Sequence, residues 1–164
     1  GVALVGAEIG SIKNYKIQIW NQFVDNMFNS VFFQIDKTPN AKQPYYYGLQ
    51  LITQTVVNNG GNEDAANTYF NPDQSSLVLG ARVGQKINNW DYSLNYTRIT
   101  KQGRYLMPRE WGRDPFYTFL MGERNEGMGD VTAYVVKSKF TAPKLPLTVN
   151  MGVGNPSALY INPE

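Results

Sequence analysis

The chain contains no cysteine and no histidine. The first absence excludes disulfides and thiolate metal sites, and is compatible with an oxidising compartment. The second removes the commonest general base and the commonest metal ligand. No run approaches the roughly 18 apolar residues of a membrane-spanning helix. That excludes a helical membrane protein but not a barrel one, whose signal per segment is much weaker. Net charge is only +2 over 164 residues, with both signs interspersed and no basic block, so nucleic acid is not an expected partner. No phosphate loop, nucleotide-binding fingerprint or catalytic triad occurs, and neither an enzymatic activity nor a cofactor is expected. The sequence begins at Gly1 without an initiator Met, a basic n-region or a signal h-region, and Glu164 follows directly on a proline. Both ends read as cut from something longer.

What the chain does have is alternation. Residues are 42% hydrophobic and 13% aromatic, with 11 tyrosines. Tyr15, Ile17, Ile19 and Phe23 fall on one face of a period of two, with Lys16, Gln18, Trp20 and Gln22 on the other. Val31, Phe33 and Ile35 oppose Ser30, Gln34 and Asp36; Tyr45, Tyr47, Leu49 and Leu51 oppose Gly48, Gln50 and Gln54. The same rhythm runs through residues 75–86, 90–99, 130–140 and 145–153, after a short apolar run at 2–8. A period of two is the mark of a strand. Turn chemistry separates the runs: Gly10 to Asn14, Asp25-Asn26, the two prolines of 38–44, Asn88-Asn89 and 142–144, with Asn tolerating the positive φ of tight hairpins. Residues 155–164 read as turn-like. The result is an all-β, antiparallel, up-and-down meander of about eight strands, each near the ~10 residues that cross a bilayer at a tilt. One segment covers residues 1–164, with long loops at 58–74 and 101–128.

Alternation alone does not separate a soluble β-sandwich, whose apolar face is a packed core, from a transmembrane β-barrel, whose apolar face meets lipid. Three features favour the barrel. Aromatics gather near strand ends (Tyr45, Tyr46, Tyr47, Trp90, Tyr92, Tyr105), as in interfacial girdles. From Thr38 onward, connections alternate between tight and long. The polar face carries Gln, Asn, Ser, Gly and Lys rather than dense paired charge, which suits a wet interior. The tight Asp25-Asn26 turn falls on the long-loop side and fits that pattern less well.

The stretch from Tyr105 to Asp130, YLMPREWGRDPFYTFLMGERNEGMGD, interrupts the alternation with charge, aromatics, prolines and glycines. Connections of this length in compact folds are functional or disordered, and Trp111, Phe116, Tyr117 and Phe119 argue against disorder. At MPREWGRDPFYTF, followed by GERNEG and then GD before a strand, the sequence resembles the OprD-like outer-membrane porins of Gram-negative bacteria. The likeness is sharp over 105–136 and looser over the flanking hairpins, including VGAEIG and LPLTVNMGVG. It implies a larger barrel of about eighteen strands, of which these eight are an internal piece completed by the remaining strands of the same chain. It also implies a location in the outer membrane, among its lipids, and passive uptake of small carboxylates or amino acids past a constriction of arginines and acids. The resemblance implies a monomer, and a homotrimer is left open.

The residues agree with such a pore. Lys16, Arg82, Lys86, Lys137 and Lys139 sit on the polar faces of successive strands and would form a positive track for anions. In the long loop, Arg104, Arg109, Arg113 and Arg124 could grip a carboxylate bidentately; equally, they could pair with Glu110, Asp114, Glu123 and Glu126 and simply fold the loop. Trp111, Phe116, Tyr117 and Phe119 read as the loop's own small core. Glu63, Asp64 and Asp73 could hold a Ca²⁺, although no ligand spacing supports it and a solvated loop is the simpler expectation. Glu123 and Glu126 could suggest glycoside hydrolysis, which salt bridges explain equally well. The alternatives are a soluble β-sandwich binding or adhesion module that uses 105–130, and an eight-stranded barrel closed on itself, with an interior filled by side chains.

Overall fold

A computed structural model of the protein describes residues 1–107, 113–120, 127–145 and 147–158. Eight strands form: β1 (Val2–Ile12), β2 (Tyr15–Val24), β3 (Phe28–Lys37), β4 (Tyr45–Val56), β5 (Ser75–Ile87), β6 (Trp90–Ile99), β7 (Val131–Thr141) and β8 (Thr148–Ala158). They make one antiparallel sheet in the order β1 to β8, each strand paired with its sequence neighbour. The expected up-and-down meander is therefore present. Its edges, β1 and β8, do not meet, so these strands do not form the self-contained closed barrel.

The turns follow their residue types. Lys13 and Asn14 both take positive φ (50° and 71°), as does Asn88 (52°), the backbone hand that suits two-residue hairpins. Three boundaries differ from the sequence reading by three residues or more, one of them the start of β8, at Thr148 rather than Leu145. Gly10 to Ile12 belong to β1, which continues through a register shift between Ile9 and Ile12; only Lys13 and Asn14 turn. Residues 155–158 are not a turn but the end of β8, pairing as far as Val131↔Ala158. Pro156, although it has no N–H to give a ladder, lies within the paired strand, opposite Ala133.

Register fixes two faces. Cross-strand rows such as Lys16↔Asp36↔Gly48↔Arg82↔Asn95 lie on one face, and Ile35↔Leu49↔Ala81↔Tyr96↔Tyr134 on the other. Lys137 shares the row of Ser93 and Gly84, and Lys139 that of Asp91 and Lys86. All five basic residues of the expected track are thus on one face. The opposite face is apolar and open: Ile19, Phe33, Leu49, Leu51, Leu79, Val83, Leu94, Tyr134, Val136, Val149 and Met151 are all exposed, and no described segment covers them.

The core lies on the other, covered face, towards the long-loop end. Ile52, Val78, Ile99 and Val131 pack with Tyr105 and Phe116 of the long loop, flanked by Phe32, Met107 and Met128. Val24 and Phe28 pack with Leu106 and with Phe70 from the 57–74 connection. This face is therefore not polar throughout: it is apolar near the long loops and polar towards the short turns. Phe70 is 2% exposed, so that connection is pinned to the sheet rather than simply solvated. Asp64 caps the short 3-10 helix Ala65–Asn67, accepting from the Ala66 N–H at 3.0 Å. No cluster of metal-ligating side chains occurs among the described residues, and nothing supports the Ca²⁺ reading.

Candidate functional site: a strap across the covered face

In the long connection between β6 and β7, residues 105–107 and 113–120 lie back over the sheet. Residues 113–120 form a strap held mainly by polar anchors from successive strands. From β4, Gln54, 1% exposed, donates to the Leu106 carbonyl and accepts from the Leu106 N–H, both at 2.9 Å. One turn of the ladder along, Gln50 donates to the Pro115 carbonyl (2.8 Å) and accepts from the Tyr117 N–H (3.3 Å). Thr118 and Thr97 of β6 share a 2.8 Å hydroxyl bond. Lys137 of β7 donates to the Tyr117 and Phe119 carbonyls at 2.6 and 2.9 Å. A buried amide that satisfies both backbone groups of another segment acts as a substitute strand. Removing it leaves two buried polar groups unmet, at about 1–3 kcal/mol each. Gln54→Leu is therefore expected to lower stability by about 2–6 kcal/mol, read as a drop in the denaturant midpoint.

The acidic anchor is Asp36 of β3. Its carboxylate accepts from the Tyr117 hydroxyl (2.6 Å), from Arg82 (2.9 Å) and from Gln34. The Arg82 guanidinium lies over the Tyr117 ring (4.6 Å to the centroid) and near that of Tyr46 (5.5 Å). Gly48, between Asp36 and Arg82 in the same row, makes room: a Cβ there would come within 2.0 Å of the Asp36 carboxylate and 2.3 Å of the Tyr117 hydroxyl. Burial, with the Asp36 hydrogen bond adding to it, pushes the Tyr117 phenol far above its usual pKa. The hydroxyl therefore stays protonated and keeps donating.

Beside the strap, a cavity of about 350 Å³ opens against β1 to β4, walled by Trp20, Phe32 and Tyr105, with Gln18, Gln34 and Arg113 among its polar groups. The Trp20 ring lies flat over Gly6 of β1, where a Cβ would come within 1.9 Å of it.

The expected site residues divide accordingly. Arg82 and Lys137 direct their donors to the strap and to Asp36. Lys16 pairs with Glu8 at 2.7 Å and Lys86 with Asp91 at 3.8 Å. Lys139 is exposed in the row of Asp91. Arg113 is exposed at the cavity and forms no ion pair among the described residues; Arg104 is exposed on the approach to the strap; Asp114 is 4% exposed. Arg109, Glu110 and Arg124 lie outside the described residues, as do Trp111, Glu123 and Glu126. Phe116 packs on the strands, and Tyr117 bonds to Asp36, so these two are not a core private to the loop. The sequence reading missed Asp36, Gln50, Gln54 and Thr97 as anchors. A strand glycine opposite a charged residue marks close approach of another group, and Gly48 was the available signal.

The arrangement provides a sheet with one apolar face, and a polar face on which fixed charges and a strap bound a cavity. No protein-family model, curated protein or solved structure matches this chain.

Proposed function

We propose that this chain is part of an outer-membrane porin, an up-and-down barrel that passes small hydrophilic solutes, carboxylates or amino acids, without a cofactor. The carrying observation is the open face: about twenty large apolar side chains, from Val5 to Val153, stand exposed on it, far beyond the patch of a few hundred Å² that a water-soluble monomer ordinarily shows. A β-sandwich would cover that face with a second sheet, and no described segment does so. Acyl chains meet the same need. The polar face then encloses the aqueous path, closed by further strands beyond the β1 and β8 edges. Among the described residues the strap lies over β3 to β7, and the cavity against β1 to β4, past Gln18, Trp20 and Arg113, serves as the path. The resemblance of residues 105–136 to OprD-like porins points the same way.

In this reading selection comes from pore radius and fixed charge, with Arg113 as a cation at the path that forms no ion pair among the described residues. The full-length protein in planar bilayers is expected to give discrete ion-conducting steps; absence of steps would refute the proposal. Arg113→Ala should shift the reversal potential in a salt gradient towards less anion preference. An unchanged potential would assign Arg113 a purely structural role.

A further inference from the structure

The two ends of the sheet differ in charge. The four connections at one end, residues 13–14, 38–44, 88–89 and 142–147, contain Lys13, Lys42 and Lys144 and no acidic residue. Lys37, the last residue of β3, adds a fourth cation on the open face. None of the four forms an ion pair among the described residues, and Lys13, Lys42 and Lys144 are exposed. At the other end, the connections 25–27 and 57–74 contain Asp25, Glu63, Asp64 and Asp73 and no Lys or Arg, and the connection 100–130 carries five basic residues, Lys101 among them, against five acidic ones, so that end holds four more acidic than basic residues.

Aromatic rings on the open face gather at the same basic end. Tyr15 meets Tyr47 edge-on at 6.3 Å with their hydroxyls 2.7 Å apart. Trp90 stacks on Tyr92 at 5.6 Å and touches Phe140 at 4.8 Å. Lys37 sits among these rings, its ammonium over the Tyr47 ring at 5.8 Å from its centre and 3.4 Å from the Tyr45 carbonyl. An apolar band ending in Tyr and Trp rings, with Lys37 at the rings and Lys13, Lys42 and Lys144 in the turns next to them, has the layering of acyl chain, interface and phosphate.

From this we infer that the short-turn end is a docking surface for anionic phospholipid headgroups, phosphatidylglycerol being the simplest. The inference rests on the membrane reading above and goes beyond it, because a pore needs no lipid charge preference. The three lysine-bearing hairpins, β1–β2, β3–β4 and β7–β8, present their cations at intervals along the sheet. The β5–β6 hairpin between them carries no lysine and supplies the Trp90 cluster. Each ammonium held at an anionic surface gains about 1 kcal/mol, roughly a fivefold exchange preference over a zwitterionic lipid.

The full-length protein would be reconstituted in vesicles of phosphatidylcholine alone and of phosphatidylcholine with phosphatidylglycerol, either lipid brominated in turn. Quenching of tryptophan fluorescence then reports the lipid in contact with the open face, where Trp90 sits. Brominated phosphatidylglycerol is expected to quench at roughly fivefold lower mole fraction, the preference shrinking as salt screens it. It should approach one in Lys13→Gln/Lys37→Gln/Lys42→Gln/Lys144→Gln and be kept in Lys101→Gln, at the other end. Insertion with equal quenching by both lipids overturns the inference alone, and so does a preference that survives the fourfold change. If the lysines served a water-soluble acidic partner instead, quenching would be equal. Failure to insert into either kind of vesicle overturns the membrane reading, and this inference with it.

Discussion

Asp36→Ala is expected to cost about 3 kcal/mol of stability and to enlarge and roughen the single-channel current. The Asp36 side chain is 5% exposed and holds three partners, Arg82, Tyr117 and Gln34. Removing it leaves the Arg82 guanidinium, still 31% exposed, between two rings with no counter-charge. Breaking a buried pair by removing one partner costs roughly 3–5 kcal/mol, and the partial exposure of Arg82 places this case at the lower end. The same change frees Tyr117, the side chain that seats the strap over Gly48, so the strap should fluctuate into the path. Asp36→Ala/Arg82→Met tests the pairing, because it removes both charges and should lose less than the two single variants summed. Strict additivity would mean that Asp36 and Arg82 do not stabilise one another. Unaltered conductance in Asp36→Ala would mean that the strap does not border the pore. Tyr117→Phe, which loses only the hydroxyl, should cost about 1 kcal/mol and change the current in the same direction.

Strands and faces were legible in the sequence because they depend on a period of two and on local turn chemistry. Tyr15, Ile17 and Ile19 alternate with Lys16, Gln18 and Trp20, and once Asn88 and Asn89 set the hairpin, register carried Lys86 and Lys139 to the same face. The ends of strands were less clear. Gly10 to Ile12 look like a turn, yet Ile12 still pairs with Tyr15 through the shifted register. Pro156 looks like a strand terminator, yet β8 goes on pairing with β7 through it to Ala158. The strap's anchors were not legible at all. Gln50, Gln54 and Asp36 have the composition of a wet lumen face, and which of them meets a loop from far along the chain (Gln54 with Leu106, Asp36 with Tyr117) is a tertiary fact. The same holds for Arg82 and Lys137, which read as free cations and are occupied. The apolar half of the covered face was hidden for a related reason: Ile52 and Val78 fall among polar neighbours on their strands, and only Tyr105 and Phe116 arriving from the loop make them a core.

The surroundings of the open face decide the functional reading, and Leu49→Arg measures them. Leu49 is 57% exposed and sits mid-strand, in the row of Ile35, Ala81 and Tyr96. If water lies against that row, the change touches a surface position and should move stability by no more than about 0.5 kcal/mol, improving solubility if anything. If hydrocarbon lies there, a guanidinium near the bilayer midplane should cost about 2–4 kcal/mol. Thr55→Arg, on the same face but one residue from the long-loop end of β4, supplies the depth control, with an expected cost of about 0–1 kcal/mol. Urea unfolding of both variants from lipid vesicles gives the comparison. A large loss at Leu49 beside a small one at Thr55 is a gradient that only an apolar slab produces. A packed protein partner would penalise both positions according to its own contacts, with no ordering by depth. Equal and negligible losses would put water against the open face and end the porin reading.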